Sequence, residues 1–155
     1  MSATEFNLVT NWTLAAPREA VWAELTKPEG WPAWWRAVAR VELLEPGDKH
    51  GVGALRRMTW RTALPYSLTF DMRTVRVEPM TVIEGRAEGE LTGVGRWTVD
   101  GDRDKTHVRY DWRVEVTQPW MRFVAPIARP VFAWNHGVVM GWGGEGLARR
   151  LGTRR

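Results

Sequence analysis

The sequence predicts an α+β fold: one antiparallel sheet of about seven strands and a long C-terminal helix. Three observations carry this. Apolar and polar residues alternate with a period of two from Phe6 to Leu14, and again through most of Val38 to Thr117. Between these stretches, and from Trp120 to Leu151, the period becomes that of a helix. No repeat, low-complexity segment or flexible linker interrupts the 155 residues, so they read as one domain, 1–155, ending in a basic tail at 149–155.

Each element follows from its residues. Phe6, Leu8, Thr10, Trp12 and Leu14 share one side of the first strand. Pro17 suits the first turn of a helix, with Glu19 near its positive end and Val21, Trp22 and Leu25 as its apolar stripe. Pro28 stops that helix near Lys27, and Pro28 to Trp35, with Gly30, Pro32 and three tryptophans, reads as a short broken helix or loop. Strands are expected at Val38–Leu44, Val52–Thr62, Tyr66–Glu78, Thr81–Leu91, Gly93–Asp100 and Thr106–Thr117, with a hairpin turn at Gly101-Asp102. In the last strand Val108, Tyr110, Trp112, Val114 and Val116 face one way and His107, Arg109, Asp111, Arg113 and Glu115 the other. That is a sheet with one buried and one wet face. Glu84, Arg86, Glu88 and Glu90 likewise read as a solvated face. Pro126 and Pro130 predict a short helical turn, a break, and a helix starting close to Pro130. On it Phe132, His136, Val139, Met140, Gly143 and Leu147 share a face, and Gly137, Gly141, Gly144 and Ala148 form a stripe of small residues. Glycine costs about 1 kcal/mol in a helix interior, so the stripe points to close approach of another backbone or to a bend.

Composition removes several function classes. Apolar residues are 44% and charged residues 26%, a globular balance. With no cysteine there is no disulfide scaffold, thiolate zinc site or cysteine nucleophile. The three histidines lack ligand spacing, so no metal is expected. Only Ser2 and Ser67 exist and neither sits in a nucleophile turn. There is no phosphate loop, and Gly93-Val94-Gly95 lies in a strand with no helix after it, so no nucleotide cofactor is expected. Four of the arginines behind the net charge of +4 lie in the tail, and the 18 other basic residues balance the 18 acids. Nucleic acid is therefore not an expected partner. The N-terminus shows no signal-peptide pattern and no segment is apolar and long enough to span a bilayer, so the expected location is cytoplasmic. The outlying number is 11 Trp, against 4 Phe and 2 Tyr. A domain this small can hardly bury them all dry, so some are expected to line a cavity or a surface that takes something apolar.

The order of strand, two short helices, six strands and long helix is that of the helix-grip fold. Val21 to Trp35 resembles the opening helices of the START-like (SRPBCC) superfamily. Leu64-Pro65-Tyr66, Val77-Glu78-Pro79, Gly93-Val94-Gly95-Arg96-Trp97, Thr106 to Trp112 and Trp134-Asn135-His136 resemble its polyketide cyclase/dehydrase and lipid-transport branch. The resemblance covers roughly Asn7 to Leu151. It implies a curved sheet wrapped around the C-terminal helix, with a deep cavity holding a hydrophobic or aromatic small molecule. It leaves three roles open. One is a binding or carrier protein. Another is a polyketide cyclase, aromatase or dehydratase working by pocket shape and a few polar groups. The third is a protein-interaction or regulatory module.

If the apolar strand faces line that cavity, its wall includes Ala54, Met58 and Trp60; Tyr66, Leu68, Phe70 and Met72; Ile83, Gly85, Ala87 and Gly89; Gly95, Trp97 and Val99; and Tyr110, Trp112 and Val114. The ligand-binding candidates are Arg56, Met58, Trp60, Leu68, Phe70, Met72, Trp97 and Trp112 on strands, with Trp35, Phe132 and Met140 on the helical segments. Small residues at 85, 87, 89 and 95 would leave room. Arg56 either receives a ligand carboxylate or enolate or pairs with a surface acid, since a lone buried charge is costly. The catalytic candidates are His136, whose ordinary pKa lies near neutrality, and Tyr110; each can equally be a structural core residue. Asn135 points about 100° away from His136 around the helix, so the two are not expected to reach one ligand. Trp31, Trp34 and Trp35 form a lid, a membrane-touching patch or a cap on the core.

Overall fold

The computed structural model describes residues 5–152; Ser2, Arg154 and Arg155 lie outside them. The alternating segments pair into one antiparallel sheet of order β1-β7-β6-β5-β4-β3-β2. The strands are β1 (Glu5–Leu14), β2 (Val38–Glu45), β3 (Leu55–Arg61), β4 (Ser67–Glu78), β5 (Val82–Gly89), β6 (Leu91–Gly101) and β7 (Thr106–Val116). Helix α1 (Arg18–Leu25) and a 3-10 helix (Pro28–Ala33) stand between β1 and β2, and α2 (Pro119–Arg150) closes the chain. The curved sheet and the long helix make the helix-grip fold.

Strand β7 keeps its alternation in the burial of every inward residue from Val108 to Val116, because it lies between β1 and β6 with one face on the core. Thr106, also inward, bonds the Ala16 carbonyl at 2.7 Å. At Gly101-Asp102 the chain turns as expected: Gly101 has φ 144°, and the Asp102 carboxylate accepts the N–H groups of Asp104 and Lys105.

Three expectations need correction. Strand β3 starts at Leu55, not Val52, because Gly51 and Gly53 take φ of 93° and 92° and hold the preceding segment in a turn. Strand β4 carries a register shift between Thr74 and Arg76, which interrupts its period of two beyond Met72. The largest correction is α2, a single helix of 32 residues that runs unbroken through Pro126 and Pro130. Both prolines are exposed and four residues apart, so the carbonyls left without a donor lie on the solvent side.

The close approach of another backbone falls outside the expected stripe of small residues, at Gly146, where a β-carbon would run into the Trp34 carbonyl. Gly137 and Gly141 have nothing within 4 Å of that position.

Candidate functional site

Sheet, 3-10 helix and α2 enclose an apolar cavity of about 160 Å³. Arg56, Met58 and Trp60 reach it from β3, and Leu68, Phe70 and Met72 from β4. Trp97 comes from β6, Tyr110 and Trp112 from β7, Trp35 from the segment after the 3-10 helix, and Phe132, His136 and Met140 from α2. The geometry therefore gathers the sequence candidates around one space. Of the other expected wall positions, Ala54, Ala87 and Val99 are buried but do not touch it, and Gly89 is exposed at the β5–β6 turn.

The room expected at the small residues is taken up by neighbours. A β-carbon on Gly85 would stand 2.8 Å from the Met72 sulfur, and one on Gly95 would strike the Tyr110 hydroxyl. These glycines seat large side chains instead of leaving a void. The remaining volume is close to that of an engineered cavity of roughly 150 Å³ that takes up benzene. A single ring fits it as it stands; a longer molecule requires indoles to rotate or the wall to open.

The rings pack on one another in edge-to-face, tilted and stacked pairs. Trp35 meets Trp60 at 4.9 Å and 90°, Trp31 meets Trp35 at 5.3 Å, and Trp97 lies 4.2 Å from Tyr110. Trp31, Trp34 and Trp35 are only 4, 7 and 0% exposed. All three rings are thus buried, and two of them, Trp31 and Trp35, also face the cavity. Three indoles find acceptors: Trp12 donates to the Met140 carbonyl (3.0 Å), Trp35 to that of Val139 (2.9 Å) and Trp31 to that of Glu24 (3.0 Å).

Polar groups on the wall are few. Arg56 donates from Nε to the Glu29 carboxylate at 2.8 and 3.2 Å, so it is paired with an acid of the 3-10 helix. Asn135, passed over in the sequence, lines the cavity together with His136. The sheet curves far enough around α2 that residues 100° apart on the helix both face the space. Asn135 accepts the Ala63 N–H at 2.8 Å and donates to the Tyr66 hydroxyl at 3.1 Å, tying the β3–β4 loop to α2. Burial raises the Tyr66 pKa, opposed by the Asn135 bond, and raises that of Tyr110 far above the ordinary phenol value. Burial pulls the His136 pKa down to about 4, so the ring is neutral at pH 7. Two buried polar atoms on this wall have no hydrogen-bond partner among the described residues: Trp60 Nε1 and His136 Nε2.

Phe6, Leu8, Trp31 and Met121 also line the cavity and were not among the candidates. Phe6 and Leu8 share the inward parity of Trp12, which was the available signal. Nothing local in the sequence marks Trp31 or Met121 as a wall residue.

Comparison with known proteins agrees with this architecture. The START superfamily protein of Mycobacterium smegmatis superposes with a TM-score of 0.77 at 15% identity, over 94% of this chain and 97% of that one. The Zhui aromatase/cyclase of Streptomyces sp. R1128 gives 0.69 at 20% identity, over 94% of each chain. The di-domain aromatase/cyclase BexL of the BE-7585A biosynthetic pathway gives 0.74 at 16% identity; this chain is covered over 99% and spans 52% of that one. At these identities the likeness is one of fold. No curated protein matches the sequence. The family model described as polyketide cyclase/dehydrase and lipid transport matches residues 6–151. The chain therefore belongs to that family, within the START-like superfamily.

Proposed function

We propose that the protein is a binding or carrier protein for a small, planar, largely apolar molecule that carries at least one oxygen. The observation behind this reading is the pairing of an indole-rich cavity with two unpartnered polar atoms on its wall, Trp60 Nε1 and His136 Nε2. A buried donor left without an acceptor costs about 1–3 kcal/mol, which a ligand oxygen would recover. An indole N–H can only donate, so the ligand must supply an acceptor there. The membership of the family and the aromatase/cyclase neighbours agree with a ring-shaped ligand. The test is native mass spectrometry of freshly purified protein, with organic extraction and a phenol titration followed by tryptophan fluorescence. A bound oxygenated ring compound, or saturable phenol binding, supports the reading. Failure of phenol to bind in an otherwise folded protein, with no extracted ligand, overturns it.

One observation favours a second reading, catalysis of a cyclase or dehydratase type. His136 is neutral with a free Nε2 beside the Tyr66–Asn135 couple, so it can take a proton from a substrate held in the cavity. Under that reading His136→Ala keeps binding and abolishes turnover; normal turnover in that variant ends it.

A further inference from the structure

The outward face of α2 lacks the polarity that a solvated helix needs. Trp120, Phe123, Ile127, Val131 and Trp134 follow one another at spacings of three or four and are 46, 85, 89, 46 and 57% exposed. From Pro119 to Gly144 the only ionised side chains are Arg122 and Arg129. Both turn toward the sheet, Arg122 to Glu115 and the Val116 carbonyl, Arg129 to the Glu5 carbonyl and the Phe6 ring. The five side chains leave roughly 600 Å² of apolar surface in water, at the upper end for a monomer's largest patch.

The same face carries two glycines, Gly137 and Gly141. A β-carbon on either glycine would meet nothing within 4 Å, so nothing within the described chain requires glycine there. Glycine weakens a helix interior, and here it gains nothing inside the molecule. Two of the bulky positions and the two glycines are mirror-related about residue 132. Phe123 lies nine residues before it and Gly141 nine after, and Ile127 and Gly137 lie five on either side.

We infer that two copies of the chain pair through this face, with their α2 helices antiparallel across a twofold axis near residue 132. Phe123 and Ile127 of one copy then sit over Gly141 and Gly137 of the other, which is the reciprocity an isologous contact requires. The pair buries roughly 1,200 Å², the lower bound of a stable interface, and desolvates no charge along its seam. A lipid surface fits less well, because the cations it would attract are turned to the sheet. The opposite face of the same helix lines the cavity, so pairing leaves the ligand site inside each copy.

Sedimentation of the full chain tests this. A reversible dimer is expected, and Phe123→Glu should raise its dissociation constant by about 100-fold or more. Gly137→Leu separates assembly from folding. It adds a side chain where the monomer has open space, so the monomer stays folded, but it fills the hollow that Ile127 of the other copy would enter. Its dimer should weaken about tenfold or more while thermal stability of the monomer holds. The chain has no cysteine, so single cysteines read the register. Val131→Cys, beside the axis, should cross-link through a short bismaleimide. Glu145→Cys, about 39 Å from its mate, should not. A chain that sediments as a monomer up to about 100 µM overturns the proposal. So does cross-linking of Glu145→Cys as fast as Val131→Cys, or a monomer that floats with phosphatidylglycerol vesicles.

Discussion

Gly143 lies flat against the Trp35 indole: a β-carbon there would stand 2.5 Å from Trp35 and 2.8 Å from Trp12. The missing side chain lets both rings reach the helix and donate to the carbonyls of Val139 and Met140. One glycine thus fixes two fully buried tryptophans, and one of them, Trp35, forms part of the cavity wall.

Gly143→Ala is accordingly expected to destabilise. Helix propensity favours alanine by about 1 kcal/mol. Overpacking against two rings held by hydrogen bonds costs about 1–3 kcal/mol, and relief by rotation would break those bonds. A net loss of up to about 2 kcal/mol should appear as a lower urea midpoint with an unchanged slope. An unchanged midpoint would show that the indoles can yield.

His136 sets an acid limit on stability. Its pKa falls from 6.5 in the open chain to about 4 when folded, because burial disfavours the charged ring. Between those values the unfolded chain binds more protons than the folded one, so stability falls as the pH drops from about 6.5 toward 4. The loss is of the order of 3 kcal/mol. His136→Phe should flatten this part of the profile in denaturant melts across pH 4–7. A profile of unchanged slope would remove His136 as its cause.

Trp60→Phe keeps a ring and deletes the N–H. It should weaken phenol binding about three- to tenfold and leave toluene, of similar shape, nearly unaffected. Calorimetric titration of both compounds against both proteins measures this. Equal losses for the two would mean that Trp60 acts by packing alone.

Asn135→Ala should free the β3–β4 loop from α2, since Asn135 bonds both Ala63 and Tyr66. A stability loss of about 1–3 kcal/mol is expected. Stopped-flow fluorescence should also show faster ligand entry and exit, because Tyr66 is part of the wall. Unchanged exchange rates would place the entrance elsewhere.

The sheet was legible because period-two alternation is a local consequence of one-sided burial, and β7 shows it without interruption. The parity that put Trp60, Phe70, Trp97 and Trp112 on one face of their strands is the same signal. Where sequence reasoning failed, the deciding contact was remote. The proline rule predicted a break in α2, but exposure of Pro126 and Pro130 lets the helix continue. Gly85 and Gly95 read as empty space until Met72 and Tyr110 are seen filling it from neighbouring strands. Asn135 was set aside on helix geometry, which says nothing about how far a sheet curves around the helix.

By itself, then, the sequence determined the order of elements, the inward face of each strand and the aromatic, charge-poor character of what those faces enclose. Alternation and helical period are properties of the chain near each residue. Only the tertiary structure decided how much of the cavity stays open, which polar atoms on its wall lack partners, and which indoles are buried and which stand in solvent. Those outcomes depend on side chains far apart in sequence competing for the same volume. Trp35 and Gly143, 108 residues apart, are one such pair.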